Sequence, residues 1–439
     1  MFLNKLNERK IPILFWSLCL LYFTILLIGP RIDKKDEKDF CVRNFYINKF
    51  FGHSMNCDSA DWILNSNNPS RLYESESIRQ SRPGLIFLTY NISKFINFFL
   101  KDENYPKITI NIKNGIKTKI NEEFNPKVVY LSYFLVNIFI LLCSIYLFFK
   151  LFEFSIFKKE NYENWYIWLS SSLIINNTVN QFLFSPSTKF FNIFCAIFTI
   201  FISIKILKNE FTKYSFVLIY SFLGFLMLFY ASFFISFLIF TILFFMRPRS
   251  KFISNLLLMI LLLVIYLLPY SIWFWYIKSI TNSFYISSFE DYNFISLIYK
   301  YYSENGLAST IFNISMIYIG FIKKFIIEHS LLLLFIPLVF FISCSVKSDK
   351  KIYFSAILFI FTYISFFVVL GHIPSDIVSV IIIPMSIILT HYLKSNFLQN
   401  NQNAKNIKIY FFSSLLIYYI WYETKFGPYS KYKKIQSHF

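Results

Sequence analysis

Residues 52–83 read GHSMNCDSADWILNSNNPSRLYESESIRQSRP. The stretch is polar, lies between apolar ones, and gathers His53, Asp58, Asp61, Trp62, Arg71, Glu76, Arg79 and Arg82. Outward from it, apolar runs recur from residue 11 to residue 422. These runs are continuous rather than alternating, which selects helices over a transmembrane barrel. With 56% apolar, 22% aromatic and 15% charged residues, the 439-residue chain lies outside the range of a soluble domain. The expected fold class is all-α: a polytopic membrane protein of about 11 transmembrane helices, with an amphipathic interfacial helix after the first outer loop.

Lys5, Arg9 and Lys10 precede the first run, residues 11–29, and Pro30-Arg31 follow it without a small-x-small cleavage site. That pattern predicts an uncleaved signal anchor with its N-terminus in the cytoplasm. Residues 31–83 then lie outside, because long loops translocate largely regardless of charge. Residues 84–100 are apolar but include Asn91, Ser93, Lys94 and Asn97, so a span and a helix lying in the outer interface both fit.

Loop charge favours the interfacial placement. Spans are then expected at 128–149, 165–184, 188–207, 215–229, 231–245, 252–276, 331–346, 352–370, 374–393 and 409–422. In that register Lys150, Lys158, Lys159, Lys205, Lys208, Lys213, Arg247, Arg249, Lys251, Lys347, Lys350 and Lys351 all face the cytoplasm. The connections at 185–187, 230 and 371–376, poor in Lys and Arg, lie outside. Residues 311–327, with Lys323 and Lys324, read as interfacial. The tail from Lys425 to Lys434 is the exception, outside despite its charge. The chain thus divides into residues 1–30 (tail and signal anchor), 31–127 (outer loop and interfacial helix), 128–276 (transmembrane bundle), 277–330 (second outer loop and interfacial segment) and 331–439 (C-terminal spans).

A formal charge of +19 would suit nucleic acid if it were gathered into one basic domain, but the Lys and Arg are spread through short loops. The span interiors carry almost no Asp, Glu or Arg, and no internal repeat is evident, which argues against an ion-driven carrier. Cys19, Cys143, Cys195 and Cys344 lie in apolar runs, as small packing residues do. Cys41 and Cys57 share the first polar loop, where a disulfide and two free thiols both fit. No C-x-x-C or Cys/His metal spacing occurs.

Two elements of the first loop carry a resemblance. Asp58-Ser59-Ala60-Asp61-Trp62 puts acids early in it, and Arg79-Gln80-Ser81-Arg82-Pro83-Gly84-Leu85 puts a basic-Pro element ahead of an apolar helix. In this the chain resembles the first extracytoplasmic loop of integral-membrane glycosyltransferases of the GT-C class. The resemblance covers the architecture of the first 150 residues; the class's second acid has no clear counterpart beyond Glu74 or Glu76.

The resemblance implies an inverting transfer of sugar from a polyprenyl-phosphate donor to an envelope lipid, glycan or protein. It would take place on the outer side of a bacterial inner membrane, with the active site facing the periplasm. Asp61, and after it Asp58, would be the catalytic base, a role worth about 10²–10⁴-fold. Arg79 and Arg82, with Arg71, would take the departing lipid phosphate. Lys189 and His372 are further phosphate candidates, and Glu290 would meet the acceptor. His372, Ser375 and Asp376 lie too close in sequence to form a triad. No cofactor is expected; some members of the class place a divalent cation at paired acids, but lipid-monophosphate donors usually need none. Alternatives are a polymerase or ligase of the O-antigen type, a non-catalytic flippase or transporter, and an envelope scaffold. If the first loop is outside, a membrane-impermeant thiol reagent applied to reduced, intact cells labels Cys41 and Cys57; labelling only after lysis would overturn this topology.

Overall fold

The computed structural model describes residues 16–28, 42–46, 52–74, 77–100, 110–111, 119–120, 126–152, 171–176, 179, 182–246, 252–284, 350–369 and 379–397, with short pieces between 302 and 323 and residue 417. Helix dominates them, as the all-α expectation requires, and two small antiparallel hairpins accompany it. Two compact units divide the chain: Met1–Ser70, Leu85–Phe190 and Phe397–Phe439 form the first, and Arg71–Gly84 with Phe191–Asn396 the second.

In the first unit, α1 (Trp16–Ile28) is followed by the hairpin of β1 (Val42–Tyr46) and β2 (Gly52–Asn56), registered Val42 to Asn56 and Tyr46 to Gly52. β2 leads directly into α2 (Cys57–Asn67). Asp58 falls in the first turn of α2. α2 buries Ser59, Trp62, Ile63 and Ser66, the spacing of one helix face. α3 (Pro83–Leu100) starts on a proline, whose missing N–H costs nothing at that position. From the first unit it contributes a buried face of Leu85, Ile86, Thr89 and Ser93. Its other face exposes Phe95, Phe98 and Phe99 beside Asn91, Lys94 and Asn97. A minimal hairpin, β3 (Ile110–Asn111) with β4 (Lys119–Ile120), precedes α4 (Pro126–Leu151). At 26 residues α4 is about 39 Å long. It buries Tyr133, Val136, Asn137, Ile140 and Ser144, and exposes Leu131, Leu135, Phe139, Leu142 and Tyr146.

The span expected at 165–184 is described only in part. Among its described residues, α5 (Ser171–Ile174) is one helical turn, and residues 179 and 182 are helical again after a bend at 175–176. Asn176 is the physical reason. Its Nδ2 donates to the Leu173 carbonyl at 3.0 Å, and its Oδ1 accepts from the Val179 amide at 3.0 Å. The side chain thus takes over bonds the backbone would otherwise make. Downstream, Asn137 of α4 donates to the carbonyls of Phe182 and Leu183 at 2.9 and 3.0 Å.

The second unit contains α6 (Phe191–Leu207), α7 (Lys213–Met227), α8 (Phe233–Phe245), α9 (Phe252–Thr281), α10 (Lys350–Val369) and α11 (Ile382–Phe397). Thr212 caps α7, its hydroxyl accepting from the Ser215 amide. Asn209 and Asn282, at φ 57° and 55°, close α6 and α9 in the left-handed conformation that asparagine tolerates best after glycine. α7 and α9 approach backbone to backbone. A Cβ on Gly224 would lie 2.4 Å from the Tyr266 carbonyl oxygen, so only glycine fits there. α6 and α8 are joined by a buried polar seam in which the hydroxyls of Thr199 and Ser236 lie 2.6 Å apart.

Among the described residues, two helices, Lys127–Leu151 and Asn255–Thr281, are long and apolar enough to cross a membrane. The second exposes Leu257, Ile260, Leu261, Val264, Leu268 and Ile272. The expected spans at 331–346 and 409–422, apart from residue 417, lie outside the described residues.

Because the atom facing Gly224 is backbone, Gly224→Ala is expected to lower stability by about 1–3 kcal/mol. Thermal unfolding of the full chain in detergent checks this; an unchanged transition would refute the close approach.

Candidate functional site

The candidate acid lies in the first unit. Asp61 is half-buried on α2, one residue before the buried Trp62. Asn65, one turn on, donates from Nδ2 to Asp61 Oδ1 at 3.0 Å and to the Asp61 carbonyl at 2.8 Å. The next residue is a hub: Ser66 Oγ lies 2.8 Å from Thr89 Oγ1 on α3 and 2.6 Å from Tyr133 Oη on α4. Tyr133 also donates to the Trp62 carbonyl at 3.2 Å. Three helices therefore fix the backbone that carries Asp61. Asp58 shares α2 and lies in its first turn.

Lys189 belongs to the same unit as Asp61. It is half-buried, with Nζ 5.1 Å from the centre of the Phe182 ring and its amide donating to Ser187 Oγ at 3.1 Å. The expected turn at 185–189 is present, and it is buried rather than solvated.

The arginines belong to the second unit, in a short segment with its own anchors. Two 3-10 turns, Pro69–Tyr73 and Ile78–Ser81, flank Glu74. Gln80 is fully buried; its Nε2 donates to the Leu72 and Glu74 carbonyls at 2.9 and 2.8 Å, folding the segment on itself. Trp273 of α9 donates its indole N–H to the Gln80 carbonyl at 2.7 Å. Tyr73 stacks edge-on with Tyr276 at 6.0 Å, and burial, with the neighbouring Tyr276 hydroxyl, pushes its phenol above the ordinary pKa. Arg79 is only 7% exposed. The Arg82 guanidinium lies over the Tyr230 ring, 5.2 Å from its centre, and the Tyr230 hydroxyl accepts from Asn192 Nδ2 at 3.1 Å. Finally, the Gly84 amide donates to the Leu228 carbonyl at 2.9 Å. A Cβ on Gly84 would come within 2.7 Å of the Phe229 ring.

A guanidinium stacked on an aromatic is pre-oriented and weakly hydrated, which suits two-point contact with phosphate oxygens. The neighbouring end of α9 carries Trp273, Trp275, Tyr276 and Lys278, with Lys278 Nζ 5.3 Å from the centre of the Trp275 ring. Aromatic residues with a cation in this arrangement are typical of a membrane–water boundary.

The structure thus groups Arg71, Arg79 and Arg82 within one unit, and Asp61, Asp58 and Lys189 within the other. Glu74 is exposed. Glu76, Glu290 and His372 lie outside the described residues. Among the described residues no group of three or more His, Cys, Asp or Glu side chains gathers to hold a metal. Sequence reasoning missed Asn65, Gln80, Tyr133, Tyr230 and Trp273. Asn65 was legible in principle, four residues after Asp61 on one helix face. Trp273 had no signal, lying 193 residues from its partner.

Trp273→Phe removes the bond to Gln80 and is expected to cost about 0.5–1.5 kcal/mol. It should also speed tryptic cleavage after Arg79, read by mass spectrometry of the native full chain; wild-type cleavage rates would show that the segment is held by other means.

No family model, curated protein or solved structure matches this chain.

Proposed function

We propose that the chain is an integral-membrane glycosyltransferase of the GT-C kind, acting on the outer side of a bacterial inner membrane. It transfers a sugar from a polyprenyl-phosphate donor to an envelope lipid, glycan or protein. The observation that carries this reading is the arginine segment at the end of α9. Two arginines are held by Gln80, Trp273 and Tyr230 beside an aromatic boundary, and a membrane-length apolar helix leads away from it. A lipid phosphate needs that combination: cations at headgroup level and hydrocarbon next to them. The exposed aliphatic surface of α9 supports membrane embedding, because water-soluble proteins rarely leave so long an apolar face uncovered. In the same reading about eleven helices span the bilayer and α3 lies in its outer interface, with Phe95, Phe98 and Phe99 toward the acyl chains.

In this mechanism Asp61 accepts the proton of an acceptor hydroxyl as that oxygen attacks the anomeric carbon. The sugar–phosphate bond breaks, and the lipid phosphate leaves with the electron pair. The base supplies about 10²–10⁴-fold and the cations the charge stabilisation.

A second reading, a non-catalytic lipid or glycan flippase, is favoured by one observation. A bend at residues 175–176 is held by Asn176, and Asn137 satisfies the carbonyls of Phe182 and Leu183. Unwound segments among apolar helices occur where they are enclosed by protein or line a pathway.

The deciding experiment compares envelope glycans by mass spectrometry in cells carrying wild-type protein or Asp61→Asn at matched levels, alongside a deletion. Loss of one sugar mass in Asp61→Asn is expected. Wild-type glycans in Asp61→Asn with changed glycans in the deletion would remove Asp61 as the base. Unchanged glycans in the deletion would move the flippase forward.

A further inference from the structure

The feature that the proposed mechanism leaves unused is Asn65. Its side chain is 4% exposed, and its Nδ2 donates to both Oδ1 and the carbonyl of Asp61. A polar pair spaced i, i+4 on a solvated helix face contributes little, because both side chains swing freely into water. Here the amide has no such freedom. Ser66, the following residue, is pinned to Thr89 and Tyr133, and Tyr133 also holds the carbonyl of Trp62. The backbone on both sides of Asn65 is therefore fixed by α3 and α4.

The other end of the amide sharpens the point. Asn65 Oδ1 is buried and meets no donor among the described residues. A buried amide oxygen without a partner is costly, so an apolar residue would pack there more favourably. The compensating contact is the one Nδ2 makes to the Asp61 carboxylate.

We propose that Asn65 is a positioning residue, which fixes the plane of the Asp61 carboxylate so that it receives the proton of the acceptor hydroxyl. The proposal rests on Asp61 being the general base. The amide neither gains nor loses a proton. It holds Oδ1 of the base while the hydroxyl proton passes to the carboxylate, the hydroxyl oxygen bonds to the anomeric carbon, and the phosphate departs with the electron pair of the broken bond. A base held in one orientation avoids the loss of rate that misalignment brings.

The test has one arm that does not depend on activity. Full-length protein carrying carbon-13 aspartate is reconstituted in lipid, and the infrared carboxylate band absent from Asp61→Asn is assigned to Asp61. Asn65→Leu, with the same branching but no donor, is expected to shift that band, and Asn65→Gln, which keeps a donor, to restore it. A band unmoved by Asn65→Leu overturns the proposal. In the second arm, the rate of sugar addition to the cells' own envelope glycans is followed at matched protein levels. Asn65→Leu is expected to slow it about 10- to 100-fold, the size of losing one hydrogen bond to a charged group. Asn65→Gln recovers part of the rate, and Asn65→Leu added to Asp61→Asn costs nothing more. Additive losses, or a wild-type rate in Asn65→Leu where Asp61→Asn is inactive, overturn the positioning role and leave the base in place. Unchanged glycans in Asp61→Asn remove the base, and with it this proposal.

Discussion

Backbone N–H and C=O groups set among apolar side chains must find partners, and little water is at hand to supply them. Most of the described residues meet that demand by winding into helix. The departures from helix are the informative places, because several are met by a named side chain. Asn176 supplies both a donor and an acceptor where α5 ends, and Asn137 reaches from α4 to carbonyls near residue 183. Gln80 and Trp273 do the same for the arginine segment. Removing any of these would leave a carbonyl stranded, so these polar residues are structural even where they sit near candidate chemistry.

Close packing sets the second condition. Gly224 lets α7 and α9 meet along their backbones, and Gly84 lets the start of α3 reach the turn at Leu228 and Phe229. The second contact lies two residues from Arg82, whose guanidinium lies over the Tyr230 ring. The arginines are thus oriented by a chain of local contacts, all inside one unit. The acid is oriented by a separate set centred on Ser66 and Tyr133.

Much of the helical layout was legible. The runs expected at 128–149, 215–229 and 231–245 appear as Pro126–Leu151, Lys213–Met227 and Phe233–Phe245, because long apolar runs leave the backbone no better option. The run ending at 276 extends to Thr281, until Asn282 turns left-handed. The bend at 175–176 was not anticipated. Its signal, Asn176-Asn177-Thr178, was present, but an asparagine side chain breaks a helix only where its neighbours leave it facing the backbone. Periodicity carries no information about that.

The sequence by itself determined the all-helical class, the apolar faces, and the grouping of acids and arginines in one polar loop. These follow from composition and period, which act locally along the chain. Only the tertiary structure decided that this loop is shared between two compact units, with Asp61 in one and Arg79 and Arg82 in the other. It alone decided which partners hold them: Asn65 for the acid, Tyr230 and Asn192 for Arg82, Trp273 for the segment between. The physical reason is distance along the chain. A hydrogen bond spanning 193 residues, like that of Trp273 to Gln80, depends on how helices pack, and packing is a property of surfaces that no local pattern encodes.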